Sequence, residues 1–330
     1  MTNRIKKSIL LTGGAGYIGS HAVDALIKAN YRVTIIDDLS TGFKELLHPE
    51  ASFYKLSIHD TKSVTEIMKN ENIEGVIHFA AKIIVPESIT NPLSYYENNT
   101  QGVVSILKAC KNNNINKFVF SSTAAVYGNA SSDFVTESTL AAPINPYGFS
   151  KLFSEQIIKD TELEFGLKNV IFRYFNVAGA SLSGNYGQRS KSATHLIKLA
   201  SEAACKKRSS INITGTDYPT PDGTGIRDYI HVEDLASAHV LAMDYLQSNG
   251  ESQLFNCGYG RGYSVREVIE CMKKISKVNF DSFDVARRPG DVAKLISDSS
   301  KLKSILNWKP KNDDLEIICQ SAYDFEKQLD

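Results

Sequence analysis

Tyr147 and Lys151 stand four residues apart behind Pro146, a residue suited to the first turn of a helix, so phenol and ammonium project from one face. A phenol beside a cation can exchange a proton with a substrate hydroxyl, because the cation favours the phenolate. Spacing alone does not select this pair, since chance supplies others in a chain with 15 tyrosines; Tyr323 and Lys327 repeat it in the tail. Position does select it. Tyr147 follows a strand pattern ending in Ser121, Ser122 and Thr123, at the carboxyl edge where open α/β sheets bind ligands.

A second constellation lies near the N-terminus. Gly13, Gly16 and Gly19 form G-x-x-G-x-x-G between an apolar run and an amphipathic one. Glycines there let backbone amides approach a pyrophosphate, and a helix N-terminus favours its charge. Asp37 ends the next strand 18 residues after Gly19, near the spacing at which a carboxylate meets the adenine ribose. The two together predict dinucleotide binding, with NAD favoured over NADP because Asp37 repels a 2′-phosphate. Asp38 fits either a ribose contact or a solvated turn. A later cluster, Gly258, Gly260 and Gly262, lacks the third helix-packing glycine and reads as a turn, with Arg261 as a further candidate for substrate contact.

These residues need a scaffold. Apolar runs near Ser8–Thr12, Arg32–Asp37, Ser52–Leu56, Val76–Phe79, Phe118–Ser122 and Val170–Tyr174 alternate with helical patterns near Gly16–Ala29, Ser63–Asn70, Pro92–Asn113 and Pro146–Glu164. That alternation predicts an α/β fold, a doubly wound parallel sheet of Rossmann type with a second, smaller α/β substrate lobe. After Phe175 the rhythm breaks, and a strand at Tyr229–Val232, a helix at Glu233–Leu246 and the run Leu254–Cys257 restore it. The expected domains are therefore 1–175 plus about 229–257, which binds the dinucleotide, and about 176–228 plus 258–330, which binds substrate. Helices are expected near Thr194–Ala204, Ser264–Ser276, Ser299–Leu306 and Asp314–Lys327.

Composition narrows the function. With 330 residues, 42% of them hydrophobic, the chain can bury a large core, and disorder is excluded as its main state. Thirty-seven basic residues balance 37 acidic ones, so there is no global field to draw in nucleic acid or an anionic membrane. Five cysteines, with no C-x-x-C pair, suggest neither a disulfide framework nor a structural zinc site and fit a reducing cytosol. The basic Met1–Lys7 segment leads into an apolar run too short for a signal peptide or a membrane span.

The chain resembles the extended short-chain dehydrogenase/reductases, and among them the UDP-glucose (UDP-galactose) 4-epimerase family. The resemblance runs through Thr12–Ser20 with Asp37, His78-Phe79-Ala80-Ala81, Pro92–Asn99, Ser121–Gly128, Pro146–Lys151, Arg173–Asn176, Asp217–Val232 with Asp234, and Arg287–Asp291. It implies reversible C4 epimerisation through a transient 4-keto sugar, with bound NAD accepting and returning a hydride, and a possible side activity on the UDP-N-acetylhexosamine pair. Tyr147 would take the proton from the sugar 4-hydroxyl, Lys151 would favour the phenolate and bind the nicotinamide ribose, and Thr123 would hydrogen-bond the reacting oxygen. NAD contacts would fall to Gly13, Gly16, Tyr17, Ile18, Gly19, Asp37, Asp38, Ser57, Ile58, Phe79, Ala80, Ala81, Asn98, Ser121, Tyr147, Lys151 and Tyr174.

For the UDP-hexose, the resemblance implies Thr123, Tyr147, Phe175, Asn176, His195, Leu196, Arg227, Arg288, Asp291 and Leu295. Arg227 and Arg288 would bind the diphosphate, which Asn176 also reaches, Asp291 would hold the uridine ribose, and Leu295 occupies a position that varies between Tyr and smaller residues. Simpler readings stand beside several of these. Ser121 and Ser122 also fit a strand end, Asn98 a helix contact, His78 a satisfied half-buried histidine, and Arg227, Arg288 and Asp291 surface salt bridges. Ser57 departs from the Asp usual beside the adenine, and Lys82 precedes by one, at Ile83, the position where some members place a cofactor lysine. A nucleotide-sugar 4,6-dehydratase would need an acid and a base after Thr123, where Ala124 and Ala125 stand. A non-catalytic NAD-binding module would not need the Thr123, Tyr147 and Lys151 set. A homodimer is implied, formed through a four-helix bundle of Pro92–Asn113 and Pro146–Glu164.

Overall fold

The computed structural model describes residues 6–130, 132, 134–190, 193–288 and 290–329. Its strands are β1 (Ser8–Thr12), β2 (Arg32–Asp37), β3 (Ser52–Lys55), β4 (Gly75–His78), β5 (Lys117–Ser121), β6 (Phe134–Val135), β7 (Lys168–Tyr174), β8 (Asn176–Ala178), β9 (Ser210–Thr214), β10 (Ile226–His231), β11 (Gln253–Cys257), β12 (Gly262–Ser264), β13 (Asp281–Val285) and β14 (Lys294–Ser297). The chain divides into two compact units. One comprises the chain up to Thr123 with Asn145–Arg173 and Ala236–Phe255, and the other Ala124–Ile144, Tyr174–Leu235 and Asn256 onward.

The first unit is built on a seven-stranded sheet in the order β11-β7-β5-β4-β1-β2-β3. The pairings β1/β2, β2/β3, β1/β4, β4/β5 and β5/β7 are all parallel, with Leu10 opposite both Thr34 and Val76. Strands buried on both faces explain the near-continuous apolar runs, as in Ile9-Leu10-Leu11. On one face Leu10, Ile36, Val76 and Phe118 pack with Val64, Met68, Val103 and Ile106 from the crossover helices. The chain winds outward from β1 through β2 to β3, then restarts at β4 on the other side of β1. That reversal makes β1 and β4 the topological switch point, where open α/β sheets bind ligands beyond their carboxyl ends.

The second unit contains a five-stranded sheet in which β12, β10, β14 and β6 lie in order and β8 also pairs with β10, and a two-stranded parallel pair of β9 and β13. Helices Leu196–Ala204, Val265–Ser276 and Leu315–Lys327 pack on one another. Ser264 and Glu267 close a reciprocal capping box at the start of the second of these.

The structure draws the boundaries differently from the sequence patterning. The strand expected at Tyr229–Val232 is β10, which joins the second unit's sheet because Asp228 is fully buried there and accepts the amides of Tyr259, Gly260 and Ser297. The return to the first unit comes at Ala236, inside helix Val232–Gln247. Residues 124–144, expected in the first domain, belong to the second unit because β6 pairs with β14, Phe134 opposite Ile296. The helix expected at Pro92–Asn113 runs on through Pro92–Tyr95 and Gly102–Asn112 with a π-helical stretch, Tyr96–Gln101, between them and right-handed helical backbone at both junctions.

Candidate active site

At the switch point the glycines meet steric demands that no other residue satisfies. Gly13 adopts φ +76°, and a Cβ there would lie 2.8 Å from the amide nitrogen of Ala80, just beyond β4. A Cβ on Gly19 would lie 2.1 Å from the Gly13 carbonyl oxygen, so the helix can start tight against the loop only with glycine present. Helix Tyr17–Lys28 begins behind Gly16 with no side-chain cap from that residue, and a helix N-terminus favours an anion. Tyr17 and Ile18 are half-buried in that first turn. A backbone cradle without side chains at the head of an uncapped helix fits the pyrophosphate of NAD.

Asp37 is buried at the end of β2, and its carboxylate accepts the amides of Ala15 at 3.0 Å and Leu39 at 2.8 Å. Burial pushes its pKa up against the pull of those two hydrogen bonds. Asp38 is exposed and accepts the Ser40 amide at 2.8 Å, as a turn residue does. Ser57 is half-buried, with its hydroxyl taking the His59 amide at 3.3 Å. Ile58 packs its side chain into the core, so any cofactor contact there falls to its backbone. Phe79, Ala80 and Ala81 follow β4 half-buried, the Ala80 amide donating to Thr12 Oγ1 at 3.3 Å.

His78 itself is fully committed. Its Nδ1 lies 2.8 Å from Thr12 Oγ1, its ring lies roughly parallel to those of Phe118 and Phe120 with centroids 6.1 and 6.0 Å away, and burial lowers its pKa to about 3. Such a histidine is neutral and structural.

The reacting candidates converge where β5 ends. Asn145 caps helix Pro146–Phe165 by accepting the Gly148 amide at 2.9 Å, a contact worth about 1 kcal/mol, and Pro146 fills the first helical position. The buried face of this helix carries Tyr147, Ser150, Lys151, Ser154 and Glu155. Tyr147 hydrogen-bonds Thr123, and burial raises its pKa while that bond lowers it. Lys151 is 2% exposed; its Nζ donates to the Ser121 carbonyl at 2.8 Å and lies 4.9 Å from the centre of the Phe120 ring. Burial lowers its pKa to about 7, against an upward pull from Glu155. Burial thus brings the amine to a range where it exchanges its proton near neutral pH, while the phenol, four residues away, needs a nearby cation to ionise. Tyr323, the rival phenol, instead has the Lys327 ammonium over its own ring at 4.6 Å.

Sequence reasoning named Asn98 but missed its neighbour. Asn98 donates to Asn99 Oδ1 at 3.0 Å, and buried Asn99 binds both the amide and the carbonyl of Lys82 and donates to Ser150 Oγ at 3.0 Å. The signal was available only as an Asn-Asn pair in a helical pattern. Lys82 Nζ lies 3.9 Å from Glu87, and Ile83 is exposed. Glu155, also missed, stands one helical turn after Lys151 and forms a buried ion pair with Arg173.

In the second unit several expected substrate residues are neighbours. Arg227 on β10 interacts with Asp291 and Arg288, and burial lowers its pKa. Arg288 forks onto Asp291 with contacts of 2.9 and 3.2 Å, so these two satisfy each other. Residue 289 between them lies outside the described residues. His195 occupies the N-cap position of Leu196–Ala204 without a side-chain capping bond, its Nδ1 is 2.8 Å from Gln188 Nε2, and burial followed by the Arg288 charge lowers its pKa. Leu196 is half-buried. Leu295 is 8% exposed on β14, in register with Arg227. Two guanidinium groups against one carboxylate leave a positive excess that suits a dianion. Tyr174 is half-buried, Phe175 is buried with its amide on the Cys257 carbonyl at 3.3 Å, and Asn176 is exposed on β8. Arg261 is exposed, and its Nη1 donates to the Tyr263 hydroxyl at 3.4 Å.

Residues 9–258 match the NAD dependent epimerase/dehydratase family. A UDP-glucose 4-epimerase of Azospirillum brasilense is 47% identical over 98% of this chain and 92% of its own length. The UDP-Glc/GlcNAc 4-epimerase of Campylobacter jejuni is similar in structure with a TM-score of 0.85 and 47% identity, covering 98% of this chain and 100% of its own. A UDP-glucose 4-epimerase of Brucella ovis, solved in complex with NAD, gives a TM-score of 0.94 at 38% identity, over 97% of this chain and 98% of its own.

Proposed function

The chain belongs to the NAD dependent epimerase/dehydratase family, and from that premise we propose that it is an NAD-dependent enzyme that interconverts UDP-glucose and UDP-galactose by inverting C4 through a transient 4-keto sugar. The observation that carries the reading is the joining of Thr123, Tyr147 and Lys151 at the end of β5. Tyr147 takes the proton of the 4-hydroxyl, with Thr123 holding the same oxygen and the Lys151 ammonium favouring the phenolate. NAD, when bound, accepts the C4 hydride and gives it back, so the cycle has no net redox change. Inversion requires the 4-keto sugar to turn over before hydrogen is restored to the opposite face of C4, while Tyr147 gives its proton back to the C4 oxygen.

Gly13, Gly16 and Gly19 hold the pyrophosphate and Asp37 the adenine ribose. Arg227 and Arg288 hold the substrate diphosphate, Asn176 and Phe175 adjoin it, and Asp291, released from Arg288, takes the uridine ribose hydroxyls. Leu295 leaves more room than a tyrosine ring, so activity extends at a lower level to the N-acetylated pair; the Campylobacter relative is described as acting on both sugars. Dehydration is disfavoured because Thr123 is followed by Ala124 and Ala125, which carry no proton.

The proposed assembly is a homodimer. In the first unit Leu93, Phe149 and Phe153 expose apolar surface, Phe153 packs 6.0 Å from both Tyr96 and Phe149, and a four-helix bundle would cover them. The proposed compartment is the cytoplasm, in keeping with five free cysteines. No described helix is long and apolar enough to cross a membrane.

The deciding experiment is to incubate purified protein with UDP-galactose, without added cofactor, and to separate the nucleotide sugars. UDP-glucose should form with no accumulation of NADH. Stoichiometric NADH from added NAD would make the enzyme a dehydrogenase instead.

A further inference from the structure

Behind the reacting face lies an ion pair for which the epimerase chemistry above has no use. Glu155 is fully buried one turn beyond Lys151, and two strands hold its carboxylate. Arg173 on β7 forks onto it, Nε to Oε1 at 2.9 Å and Nη2 to Oε2 at 2.6 Å. Ser122, between the Lys151 acceptor Ser121 and the reacting Thr123, donates its hydroxyl to Oε1 at 2.5 Å. The Ser122 amide donates to the Phe172 carbonyl at 2.8 Å, so strand end, helix and β7 meet at one carboxylate. A buried ion pair gives little stability over apolar groups of the same shape, so stability alone does not account for its place beside the reacting pair.

We propose that Glu155 is a positioning residue for the epimerisation: locked by Arg173 and Ser122 one helical turn from Lys151, its carboxylate sets the strand end that presents the Ser121 carbonyl to Lys151 and Thr123 to Tyr147. This rests on the assignment of Tyr147 and Lys151 made above. The groups around Lys151 are Tyr147 and Glu155 on its own helix, His78 on β4, and the Ser121 carbonyl on β5, with Tyr95 edge-on to Tyr147 and Arg173 behind Glu155. Burial keeps His78 neutral, so it brings no charge at neutral pH. Glu155 is the anion that raises Lys151 against its burial. The reacting form has Lys151 protonated and loses it as pH rises, so this carboxylate governs the alkaline limb of the rate profile.

The test uses the NAD-loaded enzyme and its pH profile for kcat and KM from about pH 6 to 10. In Glu155→Gln the alkaline limb should move toward lower pH by about one unit or more, with kcat at pH 8 down roughly tenfold and KM for UDP-galactose little changed, since Glu155 touches no substrate. The single variant strands Arg173, so Glu155→Gln combined with Arg173→Met is measured beside it, replacing the pair by uncharged groups of similar volume. A shift in the same direction but smaller is expected in this double variant, because the Arg173 charge that opposes Glu155 at Lys151 is removed with it. A folded, NAD-loaded double variant with the wild-type limb overturns the proposal. Lys151→Met separates the two layers: if it turns over like wild type, the reacting pair is wrongly assigned, whereas an inactive Lys151→Met beside an unshifted double variant rejects Glu155 alone.

Discussion

Thr123 and Tyr147 hydrogen-bond across the gap between the end of β5 and the first turn of helix Pro146–Phe165. One oxygen comes from just beyond a strand and the other from a helix whose start is fixed by Pro146 and the Asn145 cap, so neither depends on a mobile loop for its place. A substrate hydroxyl that enters this bond meets a donor and an acceptor together. Tyr147→Phe should therefore keep its NAD and its fold but lose turnover by about 10²–10⁴ or more. Tyr323→Phe, at the rival spacing, should change turnover little. Single-turnover assays with cofactor content measured beside them decide between the two phenols.

Lys151 makes a second, thermodynamic prediction. An unfolded lysine holds its proton to about pH 10.4, whereas the folded one loses it at about 7. Between those values the unfolded chain binds more protons, so the Lys151 contribution to stability rises with pH across that window and is least favourable at and below neutrality. Lys151→Met should abolish turnover and yet raise stability at pH 7, by on the order of 1 kcal/mol. Its advantage should shrink toward pH 10. Thermal melts at several pH values, at one saturating NAD concentration, supply the comparison; an advantage that is flat with pH would mean that the ammonium is not desolvated in the fold.

Asp37 has a double task, and the two can be separated. Its carboxylate holds the amides of Ala15 and Leu39, beside the glycine loop, while by the proposed reading it also meets the ribose. Asp37→Ala should weaken the preference for NAD over NADP, because the group that repels a 2′-phosphate is gone, and should loosen the loop as well. Asp37→Asn keeps an acceptor for one amide and should retain more stability while still losing discrimination. Ser57→Asp should leave that discrimination nearly unchanged. Unaltered selectivity in both Asp37 variants would place the ribose elsewhere.

What was legible in the sequence had local causes. The glycines and Asp37 were readable because turn geometry and strand spacing constrain residue type within a few positions, and the buried parallel strands because both faces demand apolar side chains. The π-helical stretch Tyr96–Gln101 was not readable, since its sequence keeps a helical pattern, and the contacts of Asn99 within it, to Lys82 and Ser150, join residues far apart in the chain. The placement of β10 was hidden for a similar reason: its apolar residues suit either sheet, and the choice is made by Asp228 bonding amides far along the chain. The polar face of Pro146–Phe165 looks solvated in sequence, yet Ser150, Ser154 and Glu155 are fully buried. Periodicity reports hydrophobic burial, and polar burial depends on partners that only the fold supplies.

Leu295 carries the prediction on sugar choice. It is nearly buried on β14, in register with Arg227 and four residues after Asp291, so its side chain shares a sheet neighbourhood with the proposed diphosphate and ribose contacts. The 4-keto sugar must present both faces to one hydride donor, so the pocket has to accept the ring in two orientations and an N-acetyl group in each. A leucine leaves intermediate room. Leu295→Tyr should suppress the N-acetylated reaction selectively, and Leu295→Ser should raise it, because steric exclusion acts on the larger substrate and spares the smaller. A single contact of this kind is worth about 1–3 kcal/mol, or roughly 10- to 200-fold in discrimination. The quantity to measure is the ratio of kcat/KM for UDP-galactose and UDP-N-acetylgalactosamine in wild type and both variants. The ratio should move in opposite directions in the two variants; if it holds constant, Leu295 does not line the sugar pocket and selectivity is set by other residues of the second unit.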